Sequence, residues 1–256
     1  MSDSLFSLEN RDIWIIGGAG YLGSSVVNAL ELMQARVLCA DLGAKASEAG
    51  FGPLTSTVSL DASDTLALEA FVSNQTAARG VPHGLVVMTY SSTAKTFDDL
   101  SAADFDQASH GNLTATFTLA RAVGNAMASR GSGSIVLFSS MYGSVSPDPR
   151  LYEAPMNPNP VEYGVGKAGI QQLARYLAVH YGPRGVRCNA ISPGPFPNPA
   201  VQAAQPAFIG RLAQKVPLGR VGQSSEIAGA VVFLLSDAAS FITGQNLAVD
   251  GGWTIW

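Results

Sequence analysis

Segments typical of buried strands alternate with segments of helical periodicity along almost the whole chain of 256 residues. This alternation is typical of a parallel sheet that is covered by helices on both faces. We expect strands near residues 12–16, 36–40, 55–60, 84–89, 133–139, 186–192 and 245–249. We expect helices near residues 21–33, 63–78, 101–109, 112–129, 161–181 and 224–236. The pattern predicts the α/β class, with residues 1–256 forming a single domain around a doubly wound parallel sheet of about seven strands.

A glycine-rich turn, Gly17-Gly-Ala-Gly-Tyr-Leu-Gly23, follows the first expected strand and begins the first expected helix. Glycines let the backbone turn tightly and approach a pyrophosphate, which the positive end of a helix attracts. A tight strand-to-helix corner without a ligand is the alternative, but the position of the turn favours a dinucleotide site. We therefore predict a Rossmann-type domain in which Gly17, Gly20, Tyr21, Leu22 and Gly23 contact NAD or NADP.

An acidic residue, Asp41, ends the second expected strand, 24 residues after Gly17. A carboxylate at this position can accept hydrogen bonds from both ribose hydroxyls and would repel a 2′-phosphate. Lys45 is the only nearby cation that could serve NADP, so NAD is favoured, with Asp41 and Leu42 beside the nucleotide. The alternative for Asp41 is an acid of the loop or a helix cap.

Tyr163 and Lys167 are four residues apart in the expected helix 161–181. Positions i and i+4 share one helix face, so the phenol and the ammonium can face the same cleft. A free phenol keeps its proton up to about pH 10, and a nearby cation lowers that pKa. Tyr163 could then act as an acid or base near neutrality. A packed tyrosine beside a solvated lysine is the alternative.

Three further polar residues fall near the expected sheet edge. Ser139 and Ser140 end the fifth expected strand, at the edge where open α/β sheets bind ligands. Ser140 could hydrogen-bond a substrate oxygen while Tyr163 protonates it, and Ser139 is the neighbouring alternative. Asn112 begins another helical segment, where a helix N-cap or a satisfied core amide is the alternative to a functional role.

The order of these residues resembles that of the short-chain dehydrogenase/reductase family. Pro217-Leu-Gly-Arg-Val-Gly222 and Val249-Asp-Gly-Gly252 complete the similarity, which spans about residues 12–252. The resemblance implies hydride transfer between a nicotinamide and a carbon that bears a hydroxyl or carbonyl group.

The resemblance also assigns the catalytic roles. Tyr163 is the general acid/base, and Ser140 positions the reacting oxygen. Lys167 holds the ribose hydroxyls and lowers the pKa of the tyrosine. Asn112 organises a water relay to bulk solvent.

Further cofactor contacts follow from the same resemblance. Asp61 corresponds to an adenine-contacting residue, with Ala62 beside it, although a helix N-cap is an equal alternative for Asp61. Pro193, Gly194 and Phe196 are expected at the cofactor.

One segment and one single residue depart from the family pattern. Val87-Met-Thr-Tyr90 replaces Asn-Asn-Ala-Gly, and Asn198 replaces a threonine.

The glycine spacing and the long interval between Ser140 and Tyr163 are similar to those of nucleotide-sugar enzymes. Two proline-rich segments, near 144–160 and 194–222, are expected to be irregular and to wall the substrate pocket. We expect substrate contacts from Tyr90, Tyr142, Tyr152 and Glu153, and a polar polyol, sugar or sugar acid as substrate. A carbonyl reductase for less polar ketones is the alternative, and a sensor or scaffold that binds NAD without turnover is a third possibility.

The remaining features restrict partners and location. The net charge of −4 and the lack of a basic run argue against nucleic acid. No secretion signal and no membrane-spanning run is recognised, and Cys39 and Cys188 are expected in separate strands, too far apart to bridge. These features favour a cytoplasmic location.

His83, His110 and His180 lack the spacing of metal ligands, so no metal site is predicted. Small and apolar residues in helices 112–129 and 161–181 favour a homotetramer or homodimer. Trp253 and Trp256 would otherwise form an exposed apolar patch.

Overall fold

A seven-stranded parallel sheet lies at the centre of the computed structural model, which describes residues 5–256. The strands are β1 (Asp12–Ile16), β2 (Arg36–Asp41), β3 (Thr55–Ser59), β4 (Gly84–Val87), β5 (Gly133–Phe138), β6 (Val186–Pro193) and β7 (Asn246–Val249). Their order across the sheet is β3-β2-β1-β4-β5-β6-β7. The direction of winding therefore reverses between β1 and β4, which confirms the predicted doubly wound α/β fold.

Helices cover both faces of this sheet. They are α1 (Tyr21–Leu32), α2 (Lys45–Glu48), α3 (Thr65–Arg79), α4 (Ala102–Ser109), α5 (Ala115–Arg130), α6 (Val161–Tyr181), α7 (Pro199–Ala204), α8 (Pro206–Lys215) and α9 (Ser224–Leu235). Side chains of β1 alternate between the two faces, as a strand requires. Trp14 and Ile16 pack with α3, α5 and α6, whereas Ile13 and Ile15 pack with α1 and α9. Burial on both faces explains why the central strands are almost uniformly apolar.

The second proline-rich segment is more regular than predicted. Pro199 and Pro206 begin α7 and α8, each as the first residue of its helix. Proline is tolerated there because the first N–H groups of a helix lack an intrahelical acceptor. The expectation of an irregular segment was therefore wrong for the part after Asn198.

The predicted helix 112–129 has a different beginning. His110–Thr114 form a π-helical turn that joins α4 to α5. The strand expected at 84–89 ends earlier, at Val87.

The two cysteines behave as predicted. Cys39 in β2 and Cys188 in β6 lie on opposite sides of β1 in the sheet, and both are buried free thiols. Burial raises the pKa of the Cys39 thiol to about 12.

The carboxyl-terminal tryptophans differ from each other. Trp253 is buried beside Leu212 and Val216, whereas Trp256 is 75% exposed. The expectation that both would be exposed was wrong, because α8 covers Trp253. Within residues 5–256, every helix is too short or too polar to cross a bilayer.

Candidate active site

The carboxyl ends of the parallel strands meet at one edge of the sheet. Gly17 follows β1 there, Thr89 lies just after β4, Ser140 after β5 and Gly194 after β6. The expected cofactor and catalytic residues therefore converge on one edge, where open α/β sheets bind ligands.

The glycine turn between β1 and α1 is shaped for close backbone approach. Gly17 has a φ of +85°, and a Cβ there would lie 3.0 Å from the backbone nitrogen of Thr89. A Cβ on Gly23 would lie 2.6 Å from the carbonyl oxygen of Gly18, whereas one on Gly20 would meet no atom within 4 Å. Gly17 and Gly23 are thus required by the fold, and Gly20 leaves open space before the first turn of α1. This cradle fits a pyrophosphate.

Asp41 lies directly beside this turn. Its Oδ2 accepts a hydrogen bond of 2.9 Å from the backbone N–H of Ala19, and its Oδ1 accepts one of 2.8 Å from Leu42. The carboxylate is only partly buried, so its remaining lone pairs face outward. The residue is a structural acid of the loop and is also free to accept hydrogen bonds from ribose hydroxyls.

The two acids after β3 have different roles. Asp61 accepts hydrogen bonds from the backbone N–H and the hydroxyl of Ser63, and these bonds lower the pKa of Asp61. The N-cap of α3 is Asp64, whose Oδ1 accepts from Leu66 and Ala67. The helix-cap alternative for Asp61 is therefore wrong. Its neighbour Ala62 is partly buried against the core.

Lys167 is buried in the centre of the site. Its Nζ donates to the carbonyl oxygen of Phe138 at 2.9 Å and lies 3.5 Å from that of Thr89. Burial lowers the pKa of Lys167 to about 8. The same Nζ is 5.7 Å from the centre of the Tyr163 ring, so the two side chains share one face of α6 as predicted.

The pKa of Tyr163 moves in the direction opposite to that predicted. Burial raises the pKa of this phenol, Ser140 lowers it through a hydrogen bond, and Tyr90 raises it further. The Lys167 ammonium instead donates to the carbonyl oxygen of Phe138. The phenol therefore remains protonated near neutrality, which suits donation of a proton to a ketone oxygen.

The two serines after β5 are clearly distinguished. The Oγ of Ser139 donates to the carbonyl oxygen of Lys167 at 2.7 Å and accepts from Gln171 at 3.2 Å, so it fixes α6 to the sheet. The Oγ of Ser140 accepts from the backbone N–H of Tyr142 at 3.2 Å and also contacts Tyr163. This geometry supports the choice of Ser140 over Ser139.

Asn112 lies in the π-helical turn and is 1% exposed. Its Nδ2 donates to the carbonyl oxygens of Ser91 and Ala108 at 2.7 and 2.9 Å, and its Oδ1 accepts from the N–H of Ser91 at 3.2 Å. The side chain is thus a satisfied core amide that holds the segment after β4, and it is not an N-cap. Its role in a water relay stays a prediction.

A cavity of about 220 Å³ opens beside Ser140 and Tyr163, two of the predicted catalytic residues. Its lining residues are uncharged: Ser140, Met141, Tyr142, Tyr152, Asn159, Tyr163, Gly194, Pro195, Phe196, Pro197, Phe208 and Leu212. The hydroxyl groups of Tyr142 and Tyr152 are 2.7 Å apart, and Asn159 hydrogen-bonds both. Burial raises the pKa of each of these two phenols, so both are neutral hydrogen-bonding groups.

The other two predicted substrate residues lie outside this lining. Tyr90 is 71% exposed, and its ring meets that of Tyr163 edge-on, with centroids 6.4 Å apart. Glu153 is exposed and pairs with Arg211 at 2.9 Å.

The loop after β6 supplies the facing wall. Gly194 and Phe196 line the cavity, and Pro193 ends β6. Asn198 is the N-cap of α7, where its Oδ1 accepts from Val201 at 2.9 Å. Leu212 was not anticipated. A search for pairs at i and i+4 could have found it, because Phe208 and Leu212 occupy one face of α8.

Comparisons with known proteins extend over almost the whole chain. A family profile described as Enoyl-(Acyl carrier protein) reductase matches residues 19–254. The galactitol 2-dehydrogenase (L-tagatose-forming) of Cereibacter sphaeroides is 31% identical, over 99% of this chain and 98% of that protein. The D-threitol dehydrogenase of Mycolicibacterium smegmatis is also 31% identical, over 98% of this chain and 95% of that protein. The solved structure of a short-chain dehydrogenase from Leptospira borgpetersenii with bound NAD+ is 30% identical, has a TM-score of 0.86, and covers 99% and 96% of the two chains.

Proposed function

The chain belongs to the short-chain dehydrogenase/reductase family, and from this membership we propose that it interconverts a secondary alcohol and a ketone on a small neutral polyol or sugar, with NAD as hydride carrier. The observation that carries the proposal is the position of Tyr163 and Ser140 in the wall of an uncharged cavity rich in hydroxyl groups. The names of the galactitol and D-threitol enzymes support a polyol.

The residues of the site divide the chemistry between them. The nicotinamide, when bound, supplies or accepts the hydride. Tyr163 holds the proton at its phenolic oxygen and donates it to the ketone oxygen, or removes it from the alcohol. Ser140 orients the same substrate oxygen by a hydrogen bond. Lys167 would hold the ribose hydroxyls of the cofactor and would supply a positive charge that favours the phenolate of Tyr163.

The lining of the cavity favours a neutral substrate over a sugar acid. A carboxylate that enters a site without a cationic partner loses its hydration, and neutral hydroxyl and amide donors offset only part of that loss. The two cations of α8, the helix that carries Phe208 and Leu212, are already engaged. Arg211 donates to the carbonyl oxygen of Leu151 and pairs with Glu153, and Lys215 pairs with Asp148. The polar cluster of Tyr142, Tyr152 and Asn159 would instead match additional hydroxyl groups.

The second candidate is a reductase for less polar ketones. Phe196, Phe208 and Leu212 form an apolar side of the cavity and favour this alternative. A substrate with one apolar and one hydroxylated end would satisfy both walls.

We infer a preference for NAD from charge alone. Asp41 is held against the glycine turn by Ala19, so a 2′-phosphate would meet a fixed carboxylate. Lys45 begins α2 and is the cation nearest in sequence.

An oligomer is also proposed, a homotetramer or a homodimer. Phe117 on α5 and Val165, Tyr176 and Val179 on α6 are exposed apolar side chains, and Val179 is 80% exposed. Such a patch is costly in water unless another copy covers it. Light scattering at micromolar concentration should give a multiple of the chain mass, and a single-chain mass would refute the proposal. The two buried free thiols support a reducing, cytoplasmic location.

The decisive experiment is a turnover panel with NAD and NADP. It should contain neutral polyols, the matching sugar acids and simple aliphatic ketones. We expect the highest kcat/KM for a neutral polyol with NAD. Preference for the sugar acids would contradict the cavity argument. NADH binding without turnover on any compound would instead favour a sensor or scaffold.

A further inference from the structure

A carboxylate lies fully buried next to Tyr163. Glu162 occupies the first turn of α6 and is 0% exposed. Its Oε1 accepts two hydrogen bonds from Thr93, one of 3.0 Å from the backbone N–H and one of 2.8 Å from the hydroxyl. Its Oε2 has no hydrogen-bond partner among residues 5–256. Burial of a carboxylate with incomplete pairing is unfavourable, so this glutamate is not explained by stability.

The partner of Glu162 belongs to residues 89–93, which we name the strap. Alternate strap residues bind the helices that carry the catalytic groups. The carbonyl oxygen of Thr89 faces Lys167, Ser91 exchanges two hydrogen bonds with Asn112, and Thr93 binds Glu162. These contacts fix the backbone of the strap on both sides of Tyr90 in the chain.

Tyr90 is placed by this pattern. It is 71% exposed, yet its ring meets Tyr163 edge-on at a centroid distance of 6.4 Å and an interplanar angle of 89°. An edge-to-face contact between two rings is weak by itself and does little to hold an exposed side chain. The hydrogen bonds of Thr89, Ser91 and Thr93 supply the missing constraint on the backbone around Tyr90.

We propose that Glu162 is a positioning residue that, through Thr93, holds the strap so that Tyr90 stands against Tyr163 at the margin of the substrate site. The proposal rests on the proposed function for its substrate but on the contacts above for its geometry. The proposed contact links Glu162, the residue before Tyr163, with the segment after β4 that departs from the family pattern.

A simpler role for Glu162 is to complement the positive end of α6. That interaction needs only an acid in the first turn, and it is available to an exposed side chain. It requires neither full burial nor the two bonds to Thr93, so the two roles separate experimentally.

The first test needs neither substrate nor cofactor. Amide exchange of the protein without ligands should show a protected N–H at position 93 in the parent. The same protection is expected in Thr93→Ser and in Glu162→Gln, because both variants retain the hydrogen bond from this N–H to residue 162. Protection at Thr93 should fall at least about tenfold in Glu162→Ala because the acceptor is removed. Unchanged protection in Glu162→Ala would overturn the proposal.

The second test is a double-mutant cycle on turnover. Thr93→Val keeps the shape of threonine but removes the hydroxyl donor, and we expect it to raise KM for the substrate about fivefold with NADH affinity unchanged. Thr93→Ser should restore the parent KM. In a Tyr90→Ala background, Thr93→Val should have no further effect, since its influence passes through Tyr90.

The outcomes distinguish this inference from the proposed function. Additive effects of Thr93→Val and Tyr90→Ala on KM would show that Thr93 acts without Tyr90 and would overturn the inference. If no compound turns over, the proposed function fails, and the exchange experiment still decides whether Glu162 holds the strap. Should Glu162→Ala fail to fold, the Thr93→Val and Thr93→Ser pair gives the decision.

Discussion

The nucleotide end and the substrate end of the site are held by different kinds of contact. At the nucleotide end, Asp41 bonds the next residue and the turn before α1, and Asp61 bonds a residue two positions away. At the substrate end, the segment from Pro147 to Pro160 is fastened to α8 by Arg211 and Lys215, about 60 residues later. The structure of the nucleotide end therefore depends on residue types at fixed spacing. The structure of the substrate end depends on contacts between residues that are far apart in the sequence.

This difference has a consequence for substitutions. A change at the nucleotide end should alter cofactor binding alone, because its contacts are local. A change in the contacts between residues 147–160 and α8 should alter substrate affinity, although these contacts lie outside the cavity lining. Residues shared by both ends, such as Tyr163 and Lys167, should affect the chemical step itself.

The largest effect is expected where the two ends meet. Tyr163→Phe removes the proton donor and little volume, so kcat should fall by about 10³-fold. NADH affinity, measured by isothermal titration, should stay within about twofold because the ring still packs beside Lys167. A variant that keeps more than a few per cent of the parent rate would show that another group transfers the proton.

The nucleotide end is tested by Asp41→Ala. Removal of a fixed negative charge beside the ribose should improve the ratio of kcat/KM for NADP to that for NAD by about tenfold or more. The KM for the substrate should not change, because Asp41 lies away from the cavity. Asp106→Ala, which removes an exposed carboxylate on α4, is the matched control. An unchanged ratio in Asp41→Ala would end the charge argument for NAD.

The conformation of the glycine turn and the position of Asp41 could be predicted from the sequence, because they depend on residue type and spacing. The φ of +85° at Gly17 requires glycine, and the position of Asp41 follows from the length of the first strand–helix–strand unit. The same holds for Tyr163 and Lys167, whose common face follows from helical periodicity.

The substrate end could not be predicted to the same extent. The pairing of Tyr142 with Tyr152 depends on how the first loop folds back, and the pairing of Glu153 with Arg211 depends on α8. Proline density suggested an irregular second segment, whereas Pro199 and Pro206 begin helices. The direction of the pKa shift at Tyr163 also required the structure, because its largest cause is the burial of the phenol in the packed site.

The next prediction concerns the substrate end as a whole. Replacement of residues 147–158 by a short glycine–serine linker removes Tyr152 and the anchor at Asp148 but retains Ser140 and Tyr163. We expect KM for the substrate to rise about tenfold, because a polar wall of the cavity is lost. NADH affinity should stay constant. An unchanged KM and unchanged relative activity on different substrates would show that residues 147–158 are only a connector. The substrate end would then not depend on distant contacts.

The smallest effect is expected for Arg211→Met, which tests most directly whether the substrate end depends on distant contacts. Arg211 does not line the cavity, but its Nε donates to the carbonyl oxygen of Leu151 at 2.8 Å and its Nη1 pairs with Glu153. Arg211→Met keeps the apolar stem in place and removes both contacts, so the neighbouring Tyr152 loses its support. KM for the substrate should rise about threefold, while kcat and NADH affinity stay unchanged.

Glu153→Gln is the matched control for Arg211→Met. It removes only the exposed ion pair, and exposed pairs contribute about 0–1 kcal/mol, so KM should not change measurably. A rise in KM for Glu153→Gln equal to that for Arg211→Met would mean that the carboxylate itself contacts substrate. An unchanged KM in both variants would mean that residues 147–160 keep their conformation without these contacts to α8. The substrate end would then be as locally determined as the nucleotide end.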